Sequence, residues 1–451
     1  MVSPEETDIL ALARRILERH PVCNRCLGRQ FAWLSTDTSN EDRGLSLKLT
    51  LSMIADNDIR AGRRDSGLKL VTLLADNGMF GPARALAERD SIELPPEKTC
   101  TLCSSDNQSL FDRLPELAKK AKATTDGIEF STFLVGSVPS PILLEREDEL
   151  RSDLKIMHGE TLKADLNREL GKHLQQIIDK PVEFYHPDIV IVHDMVGDRV
   201  EVRINPIFIA GRYRKLARGI PQSRWDCKLC RGKGCDECGG TGRKYPDSIS
   251  EYIGIPAQDL AKGTKFKFHA AGREDIDVRM LGSGRPFVIE VSEPRIRTPD
   301  LKKLEKRIKK ESSKKLEVLD LEMSTRKRAQ ALKDEASENV KDYEGTIRTE
   351  QDVSQDILTE ASDGFRDSDV TQRTPTRVAH RRSDLIRTKR IFEMKLRKIG
   401  SHTVKGFFRV QGGTYVKELV SGDNGRTTPS LSERIDTVCE CVELDVLEIH
   451  E

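Results

Sequence analysis

The sequence predicts a multidomain chain of the α+β class. Its 451 residues are more than one hydrophobic core ordinarily supports, so two or three domains are expected. Apolar residues recur at helical spacing in residues 6–19 and 301–310. By contrast, residues 264–269 alternate as a half-buried strand does, and residues 438–449 close the chain with a second alternation. Helices and strands are therefore expected along the whole length.

The composition excludes several classes of protein. Lys and Arg number 75 against 74 Asp and Glu, so the net charge is +1 and any nucleic-acid-binding surface must be local. No apolar run of about eighteen residues occurs, and residues 1–6 lack the basic start and apolar core of a signal peptide. We therefore expect a soluble, cytoplasmic protein without membrane association.

Eight of the 10 cysteines fall into Cys-x-x-Cys pairs, which in a reducing compartment are typical of metal ligands. Helices expected at 45–56 and 82–88 separate the first two pairs. Two such pairs supply the four thiolates of a structural zinc site, and we predict one in a first segment, residues 1–109. Buried or redox-active thiols are the alternative. The predicted ligands are Cys23, Cys26, Cys100 and Cys103.

A second segment, residues 110–218, combines helical and strand-like patterns. The pattern predicts, in order, a strand and turn at 135–150, a polar helix at 161–178, and strands at 189–193 and 200–204. A short basic segment at 212–215 follows the last strand. This arrangement fits an α/β module able to bind an RNA backbone. The charge run alone is more typical of a solvated face.

A cysteine-rich segment follows at residues 219–245. It holds two consecutive copies of Cys-x-x-Cys-x-Gly-x-Gly, whose glycines allow turns that direct backbone amides at sulfur. A second zinc site is therefore predicted. The repeat also resembles the zinc-finger region of DnaJ chaperones, and residues 186–188 match the His-Pro-Asp of a J domain. The chaperone region has four repeats and the tripeptide here precedes a strand, so that alternative is disfavoured. The ligands of the second site would be Cys227, Cys230, Cys235 and Cys238.

Residues 272–279 and 282–287 place three arginines and three acids around glycines. Neighbouring cations keep a carboxylate ionised, and glycine lets the backbone approach a bulky ligand. These properties suit a carboxylate used as a nucleophile. A charged strand edge with a glycine turn is the alternative.

The remaining sequence surrounds this motif with further elements. A helix is expected at 252–260 and a strand at 287–291, while residues 331–372 are polar and acidic, partly flexible, with a strand around 343–347. A dense basic strip at 374–390 could clamp phosphates. A salt-bridged β-hairpin is the alternative for the strip.

Several of these features together resemble the archaeal Pus ten family of tRNA pseudouridine synthases, which acts on the T loop. The likeness covers most of the chain and is weak at 320–372. The segments that carry it are 272–287, the strip at 374–390, 413–418, 422–427, both cysteine regions and 141–150.

The resemblance implies an isomerase that converts uridine to pseudouridine at positions 54 and/or 55 of the tRNA T loop. The uridine is flipped out of the RNA, an aspartate attacks the nucleotide, the glycosidic bond breaks, and the uracil is turned and reattached through carbon. No organic cofactor and no obligate protein partner are implied. The expected partner is tRNA, through its T loop and acceptor arm.

The family's Arg-x-Asp order implies that Asp275 is the nucleophile, with Asp277 as alternative. Arg273 would fill the stack left by the flipped base or hold its phosphate. Glu274 and Asp277 would orient the arginines. The arginines of the basic strip that we expect to bind substrate are Arg377, Arg381 and Arg382.

Two further positions follow from the resemblance. Tyr343 fits an active-site tyrosine that stacks on the uracil and takes its proton. Val416 and Lys417 fit an aliphatic-basic pair whose cation neutralises the aspartate and keeps Asp275 ionised. The alternatives are a half-buried strand tyrosine, a core valine and a surface lysine.

The implied architecture has a C-terminal catalytic domain, residues 246–451, with a mixed, mostly antiparallel sheet flanked by helices. The N-terminal part would be a zinc-bearing, THUMP-containing RNA-binding α/β domain, with the THUMP-like part at 110–218. Two functions from other classes remain as alternatives. One is a zinc-dependent RNA-binding or DnaJ-like chaperone module without catalysis, and the other is a thiol oxidoreductase that uses the second cysteine cluster.

Overall fold

The computed structural model describes residues 8–105, 107–335 and 339–450, and contacts divide the chain between Asn205 and Pro206 into two compact units. No helix in these ranges is long and apolar enough to cross a membrane. The helices are α1 (Ile9–Arg19), α2 (Asn24–Arg29), α3 (Asn40–Arg60), α4 (Arg64–Asp76), α5 (Gly81–Arg89), α6 (Leu114–Thr124), α7 (Pro141–Leu154), α8 (Leu162–Ile178), α9 (Ile249–Ala261), α10 (Leu301–Glu311), α11 (Arg326–Glu335), α12 (Gln355–Phe365), α13 (Val416–Ser421) and α14 (Leu431–Arg434).

The strands form three sheets of two, three and ten strands. They are β1 (Ser104–Ser105), β2 (Gln108–Ser109), β3 (Phe133–Val138), β4 (Ile189–Asp194), β5 (Arg199–Ile204), β6 (Ile207–Lys215), β7 (Lys265–Ala270), β8 (Arg279–Ser292), β9 (Leu316–Ser324), β10 (Val340–Thr349), β11 (Ser368–Arg373), β12 (Ile386–Gly400), β13 (Thr403–Gln411), β14 (Thr427–Thr428) and β15 (Cys439–His450).

The first unit packs α1–α8 around the sheet β3-β4-β5, in which β3 and β4 are parallel and β4 and β5 antiparallel. The hydroxyl of Thr161 accepts a hydrogen bond from the amide of Ala164, which fixes the start of α8 where the sequence predicts it. Beyond β3, the predicted turn is instead the helix α7. Pro141 occupies its first turn, where a missing amide hydrogen costs nothing.

The His-Pro-Asp tripeptide lies directly before β4, as the sequence predicts, and not between two helices. The carboxylate of Asp188 accepts a hydrogen bond from the backbone amide of Ser131, 2.7 Å away. This aspartate therefore has a structural role beside the sheet.

The second unit is built on the ten-stranded sheet, in the order β14-β11-β12-β13-β10-β15-β8-β6-β9, with β7 also paired to β8. All pairs are antiparallel except β15 with β8, which run parallel at Asp445 and Arg279. Helices pack against this sheet, so the predicted mixed, mostly antiparallel sheet flanked by helices is confirmed. β8 is buried almost throughout because it is central and has neighbours on both edges.

Two stretches differ from the sequence prediction. The basic segment at 212–215 lies in β6, within the large sheet. Tyr213 and Lys215 are buried there, so these two side chains are not available to contact an RNA. The second unit therefore begins before residue 218, the predicted end of the second segment. The polar stretch 331–372, predicted to be partly flexible with a strand around 343–347, contains all of β10 and α12 and most of β11.

Candidate active site

The loop between β7 and β8, residues 271–278 (the aspartate loop), is held in place by a buried lysine. The Nζ atom of Lys215 donates to the carbonyl oxygens of Asp275 at 3.0 Å, Ile276 at 2.9 Å and Ile220 at 2.8 Å. Burial lowers the pKa of Lys215 to about 8. One ammonium group therefore fixes the backbone at the predicted nucleophile.

A buried ion pair supports the same loop from within the unit. Arg285 Nε lies 2.9 Å from Glu274 Oε2, and both side chains are about 1% exposed. Tyr213 donates its hydroxyl to Glu274, and Arg285 donates to the Ala271 carbonyl oxygen at 2.7 Å. Burial and the Glu274 charge raise the pKa of Tyr213 well above its usual value, so the hydroxyl stays protonated. Glu274 is thus a structural acid that orients Arg285.

Asp275 is half-buried and is paired with Arg377, at the start of a short 3-10 helix that spans Thr376–Arg381. Arg377 Nη1 lies 2.7 Å from Asp275 Oδ2, and Arg377 Nε lies 2.6 Å from Glu418 Oε1. Glu418 is 5% exposed. Burial opposes the charge of Arg377, yet its two carboxylate partners raise its pKa above the ordinary value. A permanently charged guanidinium therefore bridges Asp275 and the first turn of α13.

Lys417 contacts Asp277 and not Asp275. Its Nζ atom lies 2.5 Å from Asp277 Oδ2. Burial favours a neutral Asp277, but the hydrogen bond from Lys417 and the charges of Lys417 and Arg377 hold its pKa below the usual value. Consecutive positions on a helix point about 100° apart, so Lys417 and Glu418 take different partners. The cation beside Asp275 is Arg377, which the sequence prediction assigned to phosphate binding.

A cavity of about 260 Å³ opens at Asp275. Tyr343, on β10, is half-buried in its wall, and burial together with the charges of Glu274 and Asp275 raises its pKa to about 12 despite the opposing effect of Arg285. The cavity brings together these residues predicted for the site: Arg273, Asp275, Tyr343, Arg377, Arg382, Val416 and Lys417.

The basic strip divides between the cavity and the surface. Arg377 and Arg382 line the cavity, and Arg382 donates to the hydroxyl of Tyr415 at 3.0 Å. Arg390 instead pairs with Asp369 at the surface. The side chain of Arg381 lies outside the described part of the structure.

Lys341 is a wall residue of the cavity that the sequence prediction missed. It is 5% exposed and lies two residues before Tyr343, so both point to the same face of β10. Burial and the nearby Arg285 charge lower its pKa to about 7. The alternation of Lys341 with Tyr343 is the signal that could have identified it.

The first two cysteine pairs meet in the first unit. The sulfur atoms of Cys23, Cys26, Cys100 and Cys103 all lie within 4.8 Å of one another, and the Sγ atoms of Cys23 and Cys103 are 3.8 Å apart. Tetrahedral zinc with bonds of about 2.3 Å places its sulfur ligands about 3.8 Å apart. The donor set and its spacing therefore fit a zinc ion.

The cysteine repeat forms a second cluster of the same kind. The Sγ atom of Cys235 lies 3.9 Å from that of Cys227 and 3.7 Å from that of Cys238. The amides of Gly234 and Gly242 donate to the sulfurs of Cys230 and Cys238 at 3.2 and 3.1 Å. Both glycines have positive φ, which explains why each copy of the repeat carries glycine there. The second metal ligand set of the sequence prediction is Cys227, Cys230, Cys235 and Cys238, and its four sulfur atoms lie within 4.8 Å of one another.

Comparisons with known proteins cover nearly the whole chain. The family model described as Pus10, C-terminal, matches residues 208–450, and the archaeal Pus10 THUMP domain matches 117–194. The chain is 40% identical to the tRNA pseudouridine synthase Pus10 of Methanothrix thermoacetophila, over 98% of this chain and 95% of that protein. The Methanocaldococcus jannaschii protein of the same name is 37% identical, over 100% and 97%.

A third relative carries the same name, and solved structures also align with part of the chain. The Pus10 of Thermofilum pendens is 39% identical to the chain and covers 97% of it, with 94% of that protein aligned. Among solved structures, a chain of a Cbf5-Nop10-Gar1 complex aligns with a TM-score of 0.28 at 15% identity, over 51% of this chain and 57% of that one.

Proposed function

The chain belongs to the Pus10 family of tRNA pseudouridine synthases, and on that premise we propose that it isomerises uridine 54 and/or 55 of the tRNA T loop with Asp275 as nucleophile. The observation that carries the proposal is the Asp275 carboxylate, which faces a cavity and is paired with Arg377 at 2.7 Å. The ion pair holds the carboxylate in place at the wall of a pocket of about 260 Å³, a volume suited to one extruded nucleotide.

The reaction leaves the atomic composition of the nucleotide unchanged. Asp275 attacks the ribose carbon, the bond from that carbon to uracil N1 breaks, and the pyrimidine leaves with the bonding electrons. After the ring turns, C5 forms the new bond to the ribose carbon and displaces the carboxylate. The proton on C5 is then lost and N1 gains one, so neither oxidant nor organic cofactor is required.

We assign Tyr343 to stacking on the uracil. A hydroxyl with a pKa raised to about 12 is protonated at neutral pH, which favours stacking over proton removal in the resting enzyme. Val416 is buried beside the cavity and would contact the ring edge. Arg273, at the cavity rim, would fill the stack left by the extruded base or hold its phosphate.

The basic residues around the cavity would position the RNA backbone. Arg377 would act on both Asp275 and a phosphate, and Arg382 and Lys417 would add cations at the cavity. Arg381 of the basic strip stays a proposed phosphate contact on the sequence alone. Such contacts fix the register of the RNA, while the pocket selects the extruded base.

We propose the division of labour predicted from the sequence. Residues 1–109 would be a zinc-knuckle subdomain and 110–205 a THUMP-like RNA-binding part. The catalytic domain would comprise 246–451 together with 206–218, because β6 lies in the large sheet, and 219–245 would be a zinc-bearing insertion. The THUMP match supports contact with the tRNA acceptor arm by the second part. None of the ten cysteines is in a disulfide bond, which suits the reducing cytoplasm, where we place the reaction.

We further propose that each cluster of four cysteines holds one structural zinc ion. The metal would supply cross-links between chain segments and no chemistry at the cavity. Cys23, Cys26, Cys100 and Cys103 would hold the first ion, and the cysteines of the repeat would hold the second.

The test replaces the proposed nucleophile. With Asp275→Asn and Asp275→Ala, tritium release from uracil-5-tritiated tRNA should vanish, because only isomerisation at C5 expels the label, while tRNA affinity stays within a few fold. Asp277→Asn is the matched control and should retain turnover, since Asp277 faces Lys417. Full turnover in both Asp275 variants would refute the assignment, and loss in Asp277→Asn alone would move it to Asp277. Mapping pseudouridine in the treated tRNA decides which T-loop position is modified.

A further inference from the structure

The cysteine-rich insertion is anchored next to the aspartate loop by a short antiparallel stem. The amide of Lys244 donates to the carbonyl oxygen of Trp225 at 2.9 Å, and Asp226 pairs with Arg243 as an isolated bridge. One step further, the amide of Cys227 donates to the carbonyl oxygen of Gly242 at 2.8 Å. The four-cysteine cluster therefore directly fixes the stem on which Trp225 lies.

The indole of Trp225 is held in a defined orientation. It packs edge-on against Tyr245, with ring centroids 5.6 Å apart and planes at 77°. The Nζ atom of Lys244 lies 5.4 Å from the Trp225 centroid and 5.5 Å from that of Tyr245. A half-buried aromatic ring supported in this way presents a rigid surface to whatever lies beside it.

Beside Trp225 lies a second cavity of about 230 Å³. Its wall includes Gln222, whose amide already donates to Tyr213 and to the Gly272 carbonyl oxygen and is therefore fixed. The cavity adjoins the catalytic one, with which it shares Arg273, Glu274, Asp275, Arg377 and Lys417. An aromatic ring, three cationic side chains and the carboxylates of Glu274, Asp275 and Asp277 thus surround a space that opens onto the nucleophile.

We propose that this second cavity is a binding subsite for the nucleotide next to the extruded uridine. An extruded nucleotide stays joined to its neighbours through phosphodiester bonds, so a space adjoining its pocket must receive one of them. Trp225 provides the face on which the unpaired base stacks, and Arg273 and Lys417 offer cations to the intervening phosphate.

This subsite gives the second cysteine cluster a function in the reaction. The cysteine cluster fixes the backbone of the stem, and the stem positions Trp225. Trp225 in turn stacks on the nucleotide next to the target uridine. Because the base stacks through its face, the subsite tolerates different bases and contributes to affinity more than to sequence choice. The inference rests on the proposed function, since it needs an RNA nucleotide at Asp275.

Fluorescence tests the stacking without any need for turnover. The chain has two tryptophans, and Trp33, which is exposed in the first unit, can be replaced by Phe so that Trp225 becomes the only one. In a full-length Trp33→Phe, Asp275→Asn protein, an unmodified tRNA transcript should quench Trp225 strongly. Transcripts with an abasic nucleotide immediately before or after the target uridine identify the stacked neighbour, since one of the two should remove the quench. Saturating transcript without quenching overturns the proposal.

Affinity supplies the second measurement. Trp225→Ala should weaken binding of the transcript about tenfold or more, Trp225→Phe should restore most of it, and the abasic transcript should bind both variants equally. Zinc content and Tm, measured in parallel, should match the parent protein. Unchanged affinity in Trp225→Ala overturns the proposal. The proposed isomerase function is tested separately. If it is wrong, the parent protein releases no tritium from the labelled tRNA, whether or not the tRNA quenches Trp225.

Discussion

Arg377 Nη1 lies 2.7 Å from Asp275 Oδ2, so the guanidinium of the basic strip is in direct contact with the proposed nucleophile. The same side chain is held from behind by the buried carboxylate of Glu418. A charged partner fixed by a second carboxylate is preorganised, because it needs no rearrangement when the aspartate acts. The first two predictions follow from this contact.

Arg377→Met should lower single-turnover rates about a hundredfold, since it removes the cation at Asp275 and leaves Glu418 buried without its partner. Rates measured with saturating tRNA separate this effect from weaker binding. Arg390→Met is the control on the same strip, because Arg390 pairs with Asp369 outside the cavity, and it should change the rate by no more than a few fold. Equal losses in both variants would mean that the strip acts only through phosphate binding.

Lys417→Met should lower the same rate less than Arg377→Met does, because the ammonium group contacts Asp277. The loss of Lys417 should also raise the pKa of Asp277, which Lys417 now holds down against the effect of burial. Single-turnover rates of the two variants, measured side by side, provide the comparison. A larger loss in Lys417→Met would show that the RNA complex brings this lysine to Asp275.

Glu274→Gln should destabilise the second unit by about 3–5 kcal/mol, because it leaves Arg285 charged and unpaired in a site where both side chains are about 1% exposed. Thermal unfolding should show a Tm lower by on the order of 10 °C. The exposed pair of Arg348 and Glu440 is the matched control, and Glu440→Gln should change stability by less than about 1 kcal/mol. A Glu274→Leu, Arg285→Met double variant should recover much of the loss.

Each cysteine cluster should hold its own zinc ion. Metal analysis of the purified protein should find about two zinc ions per chain, and Cys23→Ser and Cys235→Ser should each lose about one. Cys441→Ser, a cysteine outside both clusters, should keep both ions. A zinc content that does not fall in Cys235→Ser would leave the first cluster as the only metal site.

Lys341 should make stability depend on pH above neutrality. Its pKa is lowered to about 7 in the folded chain and is near 10.4 when unfolded, so between these values the unfolded chain binds the extra proton and stability rises with pH. The Tm of the parent protein, measured against Lys341→Met, should therefore rise between pH 7 and about pH 10. Below pH 7 the difference should be constant, because both states carry the charge. A flat difference across the whole range would contradict the lowered pKa.

Local patterns in the sequence predicted much of the secondary structure and both cysteine clusters. α8 and β4 formed where periodicity placed them, because the apolar face of each element is buried in the way its spacing requires. Both clusters assembled because two short knuckles contain all four sulfurs of each site. α7 was missed because Pro141 signals a turn and a helix start equally well.

The family resemblance identified Asp275 through the Arg-x-Asp motif. In the structure, Asp275 lines a cavity together with Tyr343 and Arg377. No motif in the sequence indicated which charged side chains form ion pairs. Lys417 was expected beside Asp275 and lies beside Asp277, at a sequence separation of 140 residues. The buried Lys215 was expected in a basic surface and instead fixes the aspartate loop.

The sequence by itself determined most of the elements, both sets of four cysteines and the family of this chain, because periodicity, short spacings and motifs depend on residues that are close together in the sequence. Only the tertiary structure decided which cation meets which carboxylate and which lysines are buried. The physical reason is that an ion pair is selected by distance and burial. Both are set when α13, the 3-10 helix and β6 pack around the aspartate loop.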